Sequence, residues 1–360
     1  MILRQLFDPA SWTYTYLLGD PSSGQAVLID SVLEQYTRDA ALVRELGLTL
    51  LYTLETHVHA DHVTGAWAHR HGQDSRIVLS RRAHADGADC LVDEGDRIDF
   101  GATSLRVRAT PGHTDSCVTY VSEDQLLAFT GDALLIRGCG RTDFQQGDPR
   151  VLFHSVREKI LSLPPACLLY PGHDYAGRSV TSVAEERRHN PRLGHGKAED
   201  DFVGYMNNLG LPHPRQIDVA VPANLRCGRP EGSPAAWPAT PSWGPAVRTL
   251  AGVWEIDPLW VSEHRLELEF LDVRGPAEFD GELGHIENAR LLPLDELRER
   301  LDEIPRDRPL ITVCRSGARS AQAALLLEKA GIERVANLAG GMVRWSVYGL
   351  PHVRATAGAG

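Results

Sequence analysis

The sequence predicts a two-domain α/β protein, and three observations predict it. At 360 residues the chain is long for one domain and sufficient for two, each burying its own core. Strand-like and helix-like segments alternate through about the first 230 residues, with no helix-only or strand-only block. From Arg229 to about Asp257 that periodicity gives way to Pro230, Pro234, Pro238, Pro241 and Pro245 among Gly, Ser and Ala, the composition of an extended, semi-rigid connector. The expected division is residues 1–228, a Pro/Trp-rich linker at 229–261, and residues 262–360. The linker's Trp237, Trp243, Trp254 and Trp260 are expected to dock on a domain surface.

A net charge of −11 argues against nucleic acid or an anionic membrane as a main partner, so a site for an anionic substrate must gather its cations locally. Met1 to Asp20 lacks a basic segment followed by an apolar block, and no run approaches transmembrane length. The six cysteines (90, 117, 139, 167, 227 and 314) include no C-x-x-C pair, which suits a reducing compartment; the expected location is cytoplasmic.

Taken in order, Thr13–Leu18 reads as a strand, and the apolar run from Ala26 ends on the carboxylate of Asp30. Ala40, Ala41, Val43 and Leu46 have helical spacing, with Thr37 a candidate N-cap and Gly47 the stop. Leu50–Glu55 reads as a buried strand opening into T-H-V-H-A-D-H-V-T-G, Thr56–Gly65, and a short helix from Val63 to about His71 follows. His57, His59, Asp61 and His62 fall within six positions, and imidazole and carboxylate are ligands for borderline and harder transition metals. Three more ligand types recur in the same context, each just after an apolar strand: His113 after Ser104–Ala109 and Pro111-Gly112, Asp132 after Leu126–Gly131, and His173 after Cys167–Tyr170 and Pro171-Gly172. Strand ends supply the rigidity that a metal site needs.

Beyond the connector, Leu266–Val273 reads as a strand, Asp295–Leu301 as a helix, and Pro309–Val313 as a buried strand. That strand runs into the loop Cys314-Arg315-Ser316-Gly317-Ala318-Arg319-Ser320, and a helix continues to about Lys329 with Gly331 as its stop. A strand, tight loop and helix aim backbone N–H groups at one sulfur, and arginines nearby depress a thiol pKa. A Cys-based phosphatase would place five residues between Cys and Arg, whereas four separate Cys314 from Arg319, a smaller ring that suits sulfane sulfur better than phosphate.

The motifs H-x-H-A-D-H, P-G-H-T, F-T-G-D and P-G-H-D resemble the metallo-β-lactamase superfamily. Thr130–Gly147, Tyr170–Tyr175 and Val221–Gly228 (V-P-A-N-L-R-C-G) bring the resemblance closest to its persulfide dioxygenase branch. Over about residues 262 to 354, Leu271–Arg274, Glu278-Phe279, Gly284–Ile286, the C-R-S-G-A-R-S loop and Gly340-Gly341-Met342 before Trp345 are similar to a single rhodanese domain. The implied folds are an αββα sandwich followed by an α/β domain with a central parallel sheet.

Ligand types alone leave two occupancies open. Superfamily members with two metals use His57, His59, Asp61, His62, His113, Asp132 and His173, and all are present. The dioxygenase branch implies one mononuclear non-haem Fe(II) on His57, His113 and Asp132, with His59, Asp61, His62 and His173 orienting those ligands. The implied reaction converts glutathione persulfide, O₂ and water to sulfite and glutathione. Arg141 and Tyr175 occupy positions that resemble thiol-binding residues of the related glyoxalase II, and Arg226, in N-L-R-C, is a weaker candidate. At the second site Cys314 would carry sulfane sulfur between thiosulfate and glutathione, with Arg315 and Arg319 holding thiosulfate or sulfite. A homodimer is a possible assembly. The alternative is a dizinc thioester hydrolase with a regulatory rhodanese-like module.

Overall fold

The computed structural model describes residues 1–231 and 241–354, so Pro234, Trp237 and Pro238 of the expected linker lie outside the described residues. The chain divides into two compact units, Met1–Trp237 and Pro238–Gly360.

Unit 1 contains two six-stranded sheets. The first runs in order β1 (Ile2–Phe7), β2 (Tyr14–Asp20), β3 (Gln25–Ile29), β4 (Thr49–Leu54), β5 (Arg76–Ser80) and β6 (Cys90–Val92). The second is made of β7 (Arg97–Phe100), β8 (Thr103–Ala109), β9 (Val118–Ser122), β10 (Leu127–Gly131), β11 (Leu168–Pro171) and β12 (Thr181–Ser182), again in chain order. Alternation along the strands decides the layers. In β2, Tyr14, Tyr16 and Leu18 face one way and join Val27, Ile29 and Leu54 against Phe100, Leu105, Val107, Tyr120 and Phe129 of the other sheet. Leu17 and Leu28 face the other way and bury Leu42 and Val43 of α1 (Tyr36–Glu45).

The opposite outer face, Val121, Ala128 and Leu169, packs on Leu152 and Phe153 of α3 (Pro149–Ser155), Val183 of α4 (Val183–His189), and Phe202 and Met206 of α5 (Glu199–Asn207). The result is the expected αββα sandwich. Helix α2 (Ala66–Gln73) starts three residues later than its spacing suggested, because Val63 and Thr64 are held in the preceding loop by bonds to Leu33 N–H and Asn224 Oδ1. Helix α6 (Ile217–Asn224) ends the described elements of the unit.

Unit 2 has one six-stranded sheet in the order β13 (Val247–Arg248), β14 (Trp254–Ile256), β18 (Val335–Leu338), β17 (Leu310–Val313), β15 (Glu269–Asp272) and β16 (Arg290–Leu291). It is parallel except where β13 meets β14. Such a sheet is covered on both faces. One face takes Ala323, Ala324 and Leu327 of α9 (Ala318–Lys329). The other takes Val261 of α7 (Pro258–Glu263) and Met342 and Trp345 of α10 (Gly341–Val347), and the short α8 (Pro276–Phe279) follows β15.

Two differences from the sequence reading have physical causes. The sheet reaches back into the segment expected as linker: β13, β14 and α7 lie there, and Trp243, Trp254 and Trp260 pack on this unit's core. Their apolar area outweighs the proline-rich composition. Residues 295–301 form successive three-residue turns in place of a helix, with only Leu297 buried, so no apolar stripe holds a longer one.

Candidate metal centre and cysteine loop

Each expected metal ligand leaves the carboxyl end of a strand at one edge of the sandwich. His57 follows β4, His113 follows β8, Asp132 follows β10 and His173 follows β11. Glycine lets the chains converge there. Gly131 has φ +50°, and a Cβ on it would lie 2.5 Å from Thr56 Oγ1. A Cβ on Gly172 would lie 2.7 Å from Asp132 Oδ1.

The ligand atoms of His57, His113 and Asp132 lie within 4.8 Å of one another. The imidazole nitrogens turned away from this cluster are already used. His113 Nδ1 is 2.6 Å from the Arg141 carbonyl, which can only accept, so Nδ1 carries the proton and Nε2 is the free donor atom. His57 Nδ1 is 2.9 Å from Thr56 Oγ1, whose own proton goes to Asp30 Oδ2 at 2.8 Å. That relay likewise leaves His57 Nε2 for a metal. Burial, with His59 and His113 nearby, holds the His57 pKa well below the usual histidine range, which leaves it in the neutral form a metal would need. Burial alone would raise the Asp132 pKa; His173, His113 and His57 around it hold it below the usual carboxylate range, so it is an anion. Two imidazole nitrogens and one carboxylate fit a divalent metal.

His173 is placed differently. Its Nδ1 is 2.7 Å from Asp132 Oδ1 and its Nε2 is 2.9 Å from Asp61 Oδ2. Burial works against its charge, but Asp132 and Asp61 raise its pKa well above the usual range, and a doubly donating imidazolium has no lone pair for a metal. Asp61 Oδ2 also accepts from Thr13 Oγ1 at 3.0 Å and lies 2.9 Å from His62 Nδ1. His59, buried deeper, has Nε2 3.1 Å from Asp30 and 3.4 Å from Glu55, at ion-pair range without hydrogen-bond alignment. Burial opposes its charge, yet Asp30 and Glu55 push its pKa up to about 10. His59, Asp61 and His62 nevertheless form a second set with ligand atoms within 4.8 Å.

A cavity of about 830 Å³ opens over these residues, a size that accommodates a small organic ligand. Trp12, Tyr175, Leu211 and Val219 give its mouth an apolar collar, and each is well exposed. Tyr175 stacks over His173, with ring centroids 6.1 Å apart. Arg141 also lines the cavity, but its guanidinium is bound bidentately by Asp143 at 2.6 and 2.7 Å and donates to the Pro212 carbonyl at 2.8 Å. Arg226 stands outside the cavity wall and pairs with Glu231. The cation at the mouth with no ion pair among the described residues is Arg215, which no motif singled out. Sequence reasoning also missed the role of Asn224. From α6 its amide donates to the carbonyls of His59 and His62, at 2.9 and 2.8 Å, and accepts from Thr64 N–H at 2.8 Å, stapling the ligand loop. Its trace in the sequence is its place in V-P-A-N-L-R-C-G.

In unit 2, Cys314 follows β17. Its sulfur accepts from Ser320 Oγ at 3.1 Å and Gly317 N–H at 3.2 Å. Burial pushes the thiol pKa up, but the Ser320 hydroxyl and the loop N–H groups of Ser320, Gly317 and Ser316 outweigh it and leave it lowered. The loop's own hydroxyl and N–H groups are the largest lowering causes, and Arg319 interacts electrostatically with Cys314 as well. Arg319 is bound bidentately by Glu278 at 2.7 Å, and Arg315 is exposed.

The metallo-beta-lactamase superfamily model matches residues 13–173, and that of the rhodanese-like domain matches residues 257–347. The persulfide dioxygenase ETHE1 of Mus musculus is 58% identical over 229 residues, 63% of this chain and 89% of that protein. The crystal structure of ETHE1 from Myxococcus xanthus is 52% identical, with a TM-score of 0.62, and is matched over its whole length by 64% of this chain. A hydroxyacylglutathione hydrolase of Brucella ovis is 38% identical over 215 residues, 59% of this chain and 82% of that protein. The chain belongs to the metallo-beta-lactamase superfamily, as a persulfide dioxygenase–rhodanese fusion protein.

Proposed function

We propose that unit 1 oxidises glutathione persulfide with O₂ and water to sulfite and glutathione, using one ferrous ion, and that unit 2 moves sulfane sulfur between thiosulfate and glutathione through Cys314. The observation that carries the first half is the closed set of His57, His113 and Asp132, beside a His173 whose two ring nitrogens are both spent on carboxylates. Two histidines and one carboxylate leave positions open, the donor set of non-haem iron oxygenases. When bound, iron would supply the chemistry toward O₂ that no side chain here can. The chain's own residues hold the donor atoms in one tautomer and, with the apolar collar of Trp12, Tyr175 and Val219 at the mouth, seat the thiol carrier. Arg215 at the mouth is placed to meet a glutathione carboxylate. Arg141 reaches one only by exchanging Asp143, and acts on the site through its carbonyl bond to His113.

At Cys314 the thiolate would attack the outer sulfur of thiosulfate. The Sγ–S bond forms, the S–S bond to the sulfonate breaks, and sulfite leaves with the electron pair. A glutathione thiolate then takes the sulfur from the Cys314 persulfide and restores the thiolate, so no outside oxidant is needed.

The second reading, a two-metal hydrolase, draws on the His59, Asp61 and His62 set. Metal analysis of the purified chain, with O₂ uptake on glutathione persulfide, separates the two. One iron per chain, and loss of both metal and uptake in Asp132→Ala, is the expected result. Active protein holding two zinc ions and no iron would overturn it.

A further inference from the structure

The two arginines of the Cys314 loop stand in different surroundings. Arg319 is held by both oxygens of Glu278, so its charge is answered within the fold. Arg315 is exposed, and its peptide carbonyl accepts from Val343 N–H at 2.9 Å. Val343 belongs to α10, whose first turn is seated on the loop: Met342 N–H donates to the Cys314 carbonyl at 2.9 Å. The next residue of that helix is Arg344. It is exposed and has no carboxylate partner among the described residues; its guanidinium lies 5.8 Å from the ring centroid of Tyr348.

The stem of Arg344 runs back over Gly340, where an added Cβ would lie 2.7 Å from its Cβ and 2.9 Å from its Cδ. The Gly340 nitrogen in turn lies 3.4 Å from where a Cβ on Gly317 would stand, and Gly317 N–H donates to Cys314 Sγ at 3.2 Å. Sulfur, Gly317, Gly340 and Arg344 are therefore contiguous, and the series ends on an unpaired cation.

We propose that Arg344, with Arg315, forms the anion subsite of the sulfur-transfer centre and holds the sulfonate end of a thiosulfate-type donor, while Arg319 braces the loop against Glu278. This rests on the sulfur-transfer reading of Cys314. A dianionic donor approaching a thiolate meets like charge on an acidic protein, and guanidinium groups on the loop and on the helix seated against it, with no carboxylate partner among the described residues, offset that repulsion. An anion subsite of this kind binds the donor before and during the attack alike, so its loss falls on KM.

The test is steady-state sulfur transfer from thiosulfate to glutathione by the full chain, with Arg344→Gln and Arg344→Lys, at low and high salt. In Arg344→Gln the KM for thiosulfate should rise about three- to tenfold with kcat within about twofold, and Arg344→Lys should recover most of that loss. Salt should raise the wild-type KM more steeply than that of Arg344→Gln. An unchanged KM and salt response in Arg344→Gln, or a fall in kcat alone, would overturn the subsite. Wild-type chain that transfers no sulfur from thiosulfate would instead remove the reading of Cys314 itself, and the subsite with it.

Discussion

Thr56 shows how a single hydroxyl would prepare His57 for the proposed metal. It donates to Asp30 and accepts from His57 Nδ1, while its N–H donates to Asp30 Oδ1 at 2.7 Å, so the orientation of His57 is set from two residues that never touch the metal. Thr56→Val keeps the shape and removes the relay. Partners of this kind are worth about 10- to 100-fold in metal affinity, and we expect a loss of that order with the fold retained. Equilibrium dialysis against a graded iron supply, with circular dichroism as the fold control, measures it. A variant that binds iron as tightly as the wild type would show that His57 needs no such partner.

Among the elements, α1 carries an electrostatic cost in its buried face. Asp39 is fully buried; Oδ1 is 2.8 Å from Arg38 Nε and Oδ2 has no hydrogen-bond partner among the described residues. Burial outweighs Arg38 and raises its pKa from 3.8 to about 6. An acid with a raised folded pKa binds its proton more tightly in the folded state. Its favourable contribution is therefore full below 3.8 and is lost as the pH rises through about 6. Asp39→Asn removes the charge, and should stabilise unit 1 by ~1–3 kcal/mol at pH 8, with the gain shrinking at pH 5. Urea denaturation at the two pH values checks this; a gain independent of pH, or none, would mean that the carboxylate is not the source of the cost. The same scale explains α6. Its Asn224 holds the loop of His59 and His62 from about 160 residues away in sequence, and so joins the last described element of the unit to the first candidate ligand motif.

At the scale of the whole molecule, His57, His113 and Asp132 belong to the unit of residues 1–237, and Cys314, Gly317 and Ser320 to that of residues 238–360. Each chemistry has its residues within one unit. Cys314→Ser should abolish transfer from thiosulfate to glutathione, since a hydroxyl cannot carry sulfane sulfur, and should keep O₂ uptake on preformed glutathione persulfide within a few-fold. With thiosulfate and glutathione as the only feed, uptake should vanish. An oxygen electrode with both feeds decides the matter; loss of uptake on preformed persulfide would show that the units are coupled in catalysis.

The sequence by itself determined the strands that end in candidate ligands, the candidate nucleophile and the two family resemblances, because each is written locally: an apolar run followed at once or within a short turn by His, Asp or Cys. Gly172 was equally legible as a turn and Gly131 as the end of a strand, though neither as the close packing against Thr56 and Asp132 that requires glycine. Pairing was what only the tertiary structure decided. Arg141 and Arg319 have the residue type of anion-binding groups, yet Asp143 and Glu278 claim them, while Arg215 and Arg344, which the sequence reading did not single out, have no ion pair among the described residues. His173 has a ligand's type and position, and two carboxylates from distant strand ends make it an imidazolium. A side chain's chemistry is fixed by its type, but whether a charge or lone pair is free depends on what folding brings within about 3 Å of it, and that neighbour is seldom its neighbour in sequence.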